Sequence, residues 1–310
     1  MRVTSNSSNE ALIARLQTLA NKQSELQSRA STGQKFEAAD ADPAGLAQAL
    51  RLQEAGRLAD QFQTNIERHQ SRAAASHNAI NGLKRALDRA QEIAVLADGV
   101  TSAETMRTYA AEVGGLIERA IQFANSKHGE EYLFAGTRGD KAPFQVVAAP
   151  AGGVASVNFV GVAEIPKSEI AEGALVSSHI PGANPAGAGP RGLLADSRHG
   201  ADLFSHLIAL QKSLETGDAN AIANSREALK ADEETILYHV TSNAALQSTL
   251  ESSAKMADRG SLQAKAAISA VADADLAETL LQLNQNQTAY QAALQSAARG
   301  FDLTLLNYIR

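Results

Sequence analysis

The sequence predicts a mainly α protein, an elongated helical bundle with paired N- and C-terminal coiled-coil helices and a small β-rich inserted domain. Three observations lead there. Apolar residues near both ends of the chain recur at alternating spacings of four and three. Alanine, leucine and glutamine dominate, while aromatic residues are only 4% of the 310, which suits long helices packed closely side by side. One stretch rich in glycine and valine, with no helical period, interrupts the pattern.

The first stripe is Leu12, Leu16, Leu19, Gln23, Leu26 and Ala30, the a/d spacing of a coiled-coil seam, and it predicts a helix that ends near Gly33. Asp42-Pro43 then opens a second helix, because an aspartate can accept from the orphan amides and a proline tolerates the first helical position. Ile80, Leu83, Leu87, Ala90 and Ala94 carry its stripe to about Asp98, and Gly99 is its expected stop. Thr101 and Glu104 have capping-box spacing before a third helix through Met106, Val113, Leu116, Ile117 and Ala124.

From Tyr132 the character changes. Phe144 to Val147 and Ala155 to Val160 are β-branched or alternating runs separated by Gly152-Gly153, which predicts strands. Pro181 to Pro190 reads as an irregular, flexible Pro/Gly loop, neither helix nor strand. Leu203, Leu207 and Leu210 return to helix, and Gly217-Asp218 turns into a very long one containing Ile222, Leu229, Ile236, Leu246 and Leu250. The C-terminal stripe is Leu276, Leu280, Leu283, Gln287, Tyr290, Leu294 and Ala297.

Composition excludes several function classes. With 34 acidic against 28 basic residues and no basic stripe, nucleic acid is not an expected partner. The absence of cysteine removes disulfides, thiolate nucleophiles and cysteine metal sites. Residues 279–298 are uncharged, but five glutamines and two asparagines argue against membrane insertion and for contact with other helices. Met1 to Asn6 shows no apolar run with a small-residue cleavage site, so export is expected by another route. His128 with Glu130 and Glu131 is the densest set of metal-ligand types, yet it lacks a partner motif and reads as solvated surface. Gly182, Gly187 and Gly189 lack the strand, helix and Lys-Ser pair of a phosphate loop, and no Gly-x-Ser-x-Gly occurs. No enzyme activity, cofactor or metal is expected.

Local motifs then point to a family. Gln27-Ser28-Arg29-Ala30-Ser31-Thr32-Gly33-Gln34-Lys35 resembles the helix-ending segment of the bacterial flagellin family, followed at a similar distance by Asp42-Pro43-Ala44-Gly45. Glu131-Tyr132-Leu133-Phe134-Ala135-Gly136-Thr137 with Pro143-Phe144, and the ending Phe301 to Ile309, are more similar to the branch that joins hook to filament than to filament flagellins. The resemblance covers roughly the first 145 and last 110 residues and leaves the insert unmatched.

The resemblance implies a structural, self-assembling adaptor between hook and filament, outside the cell, exported through the flagellar type III pathway without a cleaved signal peptide. Its partners would be copies of itself, a neighbouring hook-associated protein, flagellin subunits and an export chaperone. The implied organisation is an N-terminal assembly segment at 1–40, a helical rod at 41–131 and 200–267, a β-rich outer insert at 132–199 and a C-terminal assembly segment at 268–310. The candidate assembly interface is Leu12, Leu16, Leu19, Leu26, Leu276, Leu280, Leu283, Tyr290, Leu294, Phe301, Leu305 and Ile309, with Gly33, Asp42 and Pro43 as the structural turn. A short filament flagellin and, more remotely, a secreted helical protein that binds a ligand through the insert are the alternatives.

Overall fold

A computed structural model describes residues 3–35, 42–98, 102–150 and 152–308, and the side chains of 10–35, 42–98, 102–150 and 152–298. Six helices carry most of the described residues: α1 (Val3–Thr32), α2 (Pro43–Ala97), α3 (Ala103–Ala124), α4 (Leu203–Thr216), α5 (Ala219–Ala272) and α6 (Leu276–Tyr308). Among the described residues, nine short strands lie between α3 and α4. The contacts divide the chain into a terminal unit, 1–58 with 259–310, and a body, 59–258, so that α2 and α5 each contribute to both.

The helix boundaries follow local chemistry. Gly33 takes φ of +71°, a left-handed conformation that glycine adopts at no steric cost, and its amide closes on the Arg29 carbonyl. Asp42 caps α2, its Oδ1 accepting from the Gly45 amide at 2.8 Å. Before α3 the cap is Ser102, whose hydroxyl accepts from the Thr105 amide, and not the expected Thr101. Thr101 and Gly99 lie outside the described residues. Asp218 accepts from the Asn220 and Ala221 amides to start α5, and Asp275 accepts from the Ala277 and Glu278 amides to start α6.

Within the body the stripes expected on α2 and α3 are buried, as are Leu203, Leu207, Leu210 and Leu214 of α4 and Ile222, Leu229 and Ile236 of α5, in one apolar cluster. Small residues set the spacing: a Cβ added at Gly82 of α2 would lie 2.6 Å from the Phe123 ring of α3. Polar ties cross the same interfaces, Arg89 to Glu112 at 2.7 Å and the Gln91 amide to Glu233 at 3.0 Å.

The strands form small separate sheets. β1 (Lys127–His128) and β2 (Glu131–Tyr132) make one antiparallel pair, and β3 (Phe144–Ala148) and β4 (Val154–Phe159) make another, where the sequence places strands. The hairpin β5 (Ser168–Ala171) with β6 (Ala174–Val176) has no counterpart in the sequence reading. It drives Ile170 into a second apolar cluster with Ile66 and Ala73 of α2 and Leu250 of α5.

Pro181 to Pro190 is more regular than expected. β7 (Ala183–Asn184) pairs in parallel with β8 (Ala195–Asp196), which pairs with β9 (Ala201–Asp202). Asn184 donates to the carbonyls of Ala188 and Pro190 and accepts from the Gly187 amide, so the loop closes on its own backbone. Asp196, fully buried, accepts from the Gly192 and Arg198 amides, the Arg198 guanidinium and His199. Desolvation alone would raise its pKa, but these donors together hold it well below the usual carboxylate range.

Candidate assembly surface

In the terminal unit, α1 packs against α6, and each expected residue of the α1 stripe faces inward: Leu26 is buried and Leu12, Leu16 and Leu19 are half-buried. α6 turns a face that overlaps only part of the stripe its leucines mark. The positions most removed from water are Thr279, Asn286 and Ala297, flanked by half-buried Gln282, Leu283, Gln287, Tyr290 and Ala293. The Asn286 amide donates to the Leu19 carbonyl at 2.9 Å across the seam. Leu283 and Tyr290 therefore flank the α1 contact, whereas Leu276, Leu280 and Leu294 do not enter it.

Those three leucines are 49%, 50% and 44% exposed, and Leu281 beside them is 58% exposed. Ile13, Leu50, Leu58 and Leu262 add to the exposed aliphatic residues of this unit. The sequence reading missed them because each falls outside a four-and-three stripe. On α2 and α5 the contact is made instead by small residues: buried Gly56 faces Ala264, where a Cβ would sit 3.5 Å from that of Ala264. Phe301 and Leu305 lie on α6 with side chains outside the described residues, and Ile309 lies outside them altogether.

Gly33 and Asp42 lie at the two ends of the connection from α1 to α2, and Pro43 is the first residue of α2. The same region is clipped to the turn between α5 and α6. The Lys35 amide donates to the Ala272 carbonyl at 2.7 Å, the Ala274 amide to the Gly33 carbonyl at 2.8 Å, and Lys35 Nζ to the Ala270 carbonyl at 3.0 Å. A carbonyl at a helix C-terminus is a natural acceptor for a lysine.

The other chemically dense places serve the fold of the body. Arg72, buried, donates to Glu131 at 3.0 Å and to the carbonyls of Tyr132 and Leu133, so Glu131 is an ion-pair partner. His128 Nε2 is 3.3 Å from the Ser71 hydroxyl. His69 uses both ring nitrogens on Ser168 and Ser178, fixing the β5–β6 hairpin to α2, and burial with nearby Arg72 holds it below the usual imidazole range. Burial likewise pushes His179 and His239 down to about 4. Among the described residues no group of three or more His, Asp or Glu side chains is placed to hold a metal ion.

The segment Leu133-Phe134-Ala135-Gly136 closes the end of the helical core: the first three residues are buried, and Gly136 takes φ of +67° with space for no side chain. A Cβ there would lie 1.8 Å from the Val162 carbonyl oxygen. Phe144 stacks at its side, 5.3 Å from Phe159 and 5.5 Å from Phe204 between ring centres.

Comparison with known proteins agrees with this architecture. Residues 3–138 match the family described as the bacterial flagellin N-terminal helical region. No curated protein sequence matches the chain significantly. A flagellar hook-associated protein from Vibrio parahaemolyticus superposes with a TM-score of 0.62 at 16% identity, over 74% of this chain and 99% of that one. FlgL from Bacillus cereus gives 0.57 at 15% identity, over 71% and 99%. FlgL from Xanthomonas campestris gives 0.58 at 15% identity, over 70% and 99%. The chain thus carries a flagellin-type N-terminal helical region and has the fold of these flagellar proteins.

Proposed function

We infer that this chain is a structural subunit of the bacterial flagellum that assembles through its terminal helices and joins hook to filament. The observation that carries the reading is the terminal unit, where Leu276, Leu280, Leu281 and Leu294 of one helix stay exposed while Thr279, Asn286 and Ala297, flanked by Leu283 and Tyr290, make the intramolecular contact. A chain that leaves its best apolar face in water gains by burying it against neighbouring copies, at about 25 cal/mol for each Å² removed from water. The flagellin-type region at 3–138 and the shared fold of hook-associated proteins supply the setting.

The work of such a subunit is geometric. Its copies close laterally into a ring, with one edge meeting a hook-associated protein and the other meeting flagellin, and no bond is made or broken. Its place is the extracellular flagellum, reached through the flagellar export channel with the help of an export chaperone. No described helix is long and apolar enough to cross a membrane.

Deleting the gene tests the reading. Cells should keep hooks but lose filaments, with full-length flagellin shed into the medium, and antibody to the restored protein should mark a band at the hook-filament boundary. Label along the entire filament would replace the adaptor with a filament flagellin, and no label on flagella would overturn the structural reading.

A further inference from the structure

Helix α6 has two faces that could meet α1, and hydrophobicity favours the one that is not used. Leu283, Tyr290 and Ala297 belong to both, so the choice is whether Thr279, Asn286 and Ala293 or Leu280, Gln287 and Leu294 complete the seam, and the second set would remove more apolar surface from water. Something specific must hold the observed face inward. The backbone clip at Gly33, Lys35, Ala272 and Ala274 fixes only the turn end of the pair. Asn286 lies about 18 Å farther along α6, at 1.5 Å for each residue after Ala274. It is 8% exposed and its amide reaches the Leu19 carbonyl. Counting in heptads from that antiparallel contact sets Leu26 level with Thr279 and Leu12 level with Ala293, so Leu12, Leu19 and Leu26 of α1 each meet a smaller or polar residue of α6.

We propose that Asn286 selects which face of α6 pairs with α1, turning the Leu276, Leu280 and Leu294 face away from the seam and leaving it for other subunits. The role given to that face rests on the adaptor reading; the selection itself does not. A buried asparagine in a helical seam is costly unless its amide is satisfied, and a single one is enough to choose between alternative pairings at some expense in stability. In the observed rotation the Leu19 carbonyl satisfies it.

The full chain, free of cysteine, makes the test direct. Two double variants, Leu26→Cys with Thr279→Cys and Leu26→Cys with Leu280→Cys, are oxidised as isolated monomers. With Asn286 present, the Thr279→Cys pair should form its disulfide at least about tenfold faster, because Leu280 points away from α1. Adding Asn286→Leu should reverse or erase that preference as the leucine face turns inward. An unchanged preference would overturn the proposal. Should Asn286→Leu lower helix content, Asn286→Ala is read by the same ratio and the same criterion. Since the measurement is made on single chains, normal or failed flagellar assembly bears on the adaptor reading alone.

Discussion

Helices α4 and α6 carry almost the same leucine code and meet opposite fates. In α4, Leu203, Leu207, Leu210 and Leu214 recur at four and three and are all buried inside the body. In α6, Leu276, Leu280 and Leu283 recur at four and three, yet the first two are about half exposed. A heptad-like stripe states that a surface is apolar; it does not state what covers it. α4 is surrounded within its own chain by apolar residues of α2, α3 and α5, whereas α6 meets α1 through a face that overlaps only part of its stripe. The stripe of α4 is covered within the body, whereas much of the stripe of α6 stays exposed in the terminal unit.

The same charge placed on both helices breaks the comparison most sharply. Leu207→Asp buries a carboxylate with no partner, which costs several kcal/mol, on the order of the whole stability of a domain. Its body should lose its cooperative thermal transition. Leu280→Asp sits at an exposed site and should change the unfolding free energy by less than about 0.5 kcal/mol, while abolishing incorporation into flagella. If Leu280→Asp incorporates normally, the outward face is not an interface.

Gly136→Ala sharpens the view of the body as a closed fold. The left-handed backbone and the 1.8 Å approach of a Cβ to the Val162 oxygen leave no room, and a loss of about 3 kcal/mol or more is expected in denaturant unfolding. A loss below about 1 kcal/mol would mean that the core-closing segment adjusts freely.

Acid should separate the two units. All seven histidines lie between residues 69 and 239, within the body. His239 is buried and its pKa falls from 6.5 to about 4, so between those values the unfolded chain binds a proton that the folded chain refuses. Stability therefore falls as pH drops through that window, by on the order of 3 kcal/mol from His239 at 1.36 kcal/mol per unit. His179 acts in the same direction from a more exposed position. His206, raised by its bond to Asp232, acts oppositely but above pH 6.5, outside that window, while Asp232, raised by its own desolvation, acts oppositely above pH 3.8. His239→Gln removes the titration, so its denaturant midpoint should vary less with pH between 6.5 and 4 than that of the parent. An identical slope would discard His239 as a cause.

The smallest expected effect is at the turn joining α1 to α2. Asp42→Ala removes one N-cap and should cost about 1 kcal/mol, read as faster amide exchange over the first turn of α2 with the body unchanged. No change there would make Asp42 a passive surface residue.

Much of this was legible in the sequence. The long helices, the turn at Gly33 and Asp42-Pro43, the strands around Gly152-Gly153 and the α1 stripe follow from periodicity and backbone chemistry, which act over a few residues. The cap of α3 was misplaced by one residue because threonine and serine stand side by side at 101 and 102 and either can accept. The β5–β6 hairpin gave no usable signal: its strands are short, and what holds it, Ile170 against α2 and α5 and His69 on two serines, comes from residues far along the chain.

By itself, then, the sequence determined that both ends form helices with apolar stripes, since side-chain spacing and helix geometry are local properties. Which face of α6 turns inward was decided only by the tertiary structure. That choice depends on small side chains that let two helices approach and on one amide meeting a carbonyl on a helix more than 260 residues away, a pairing that periodicity does not encode.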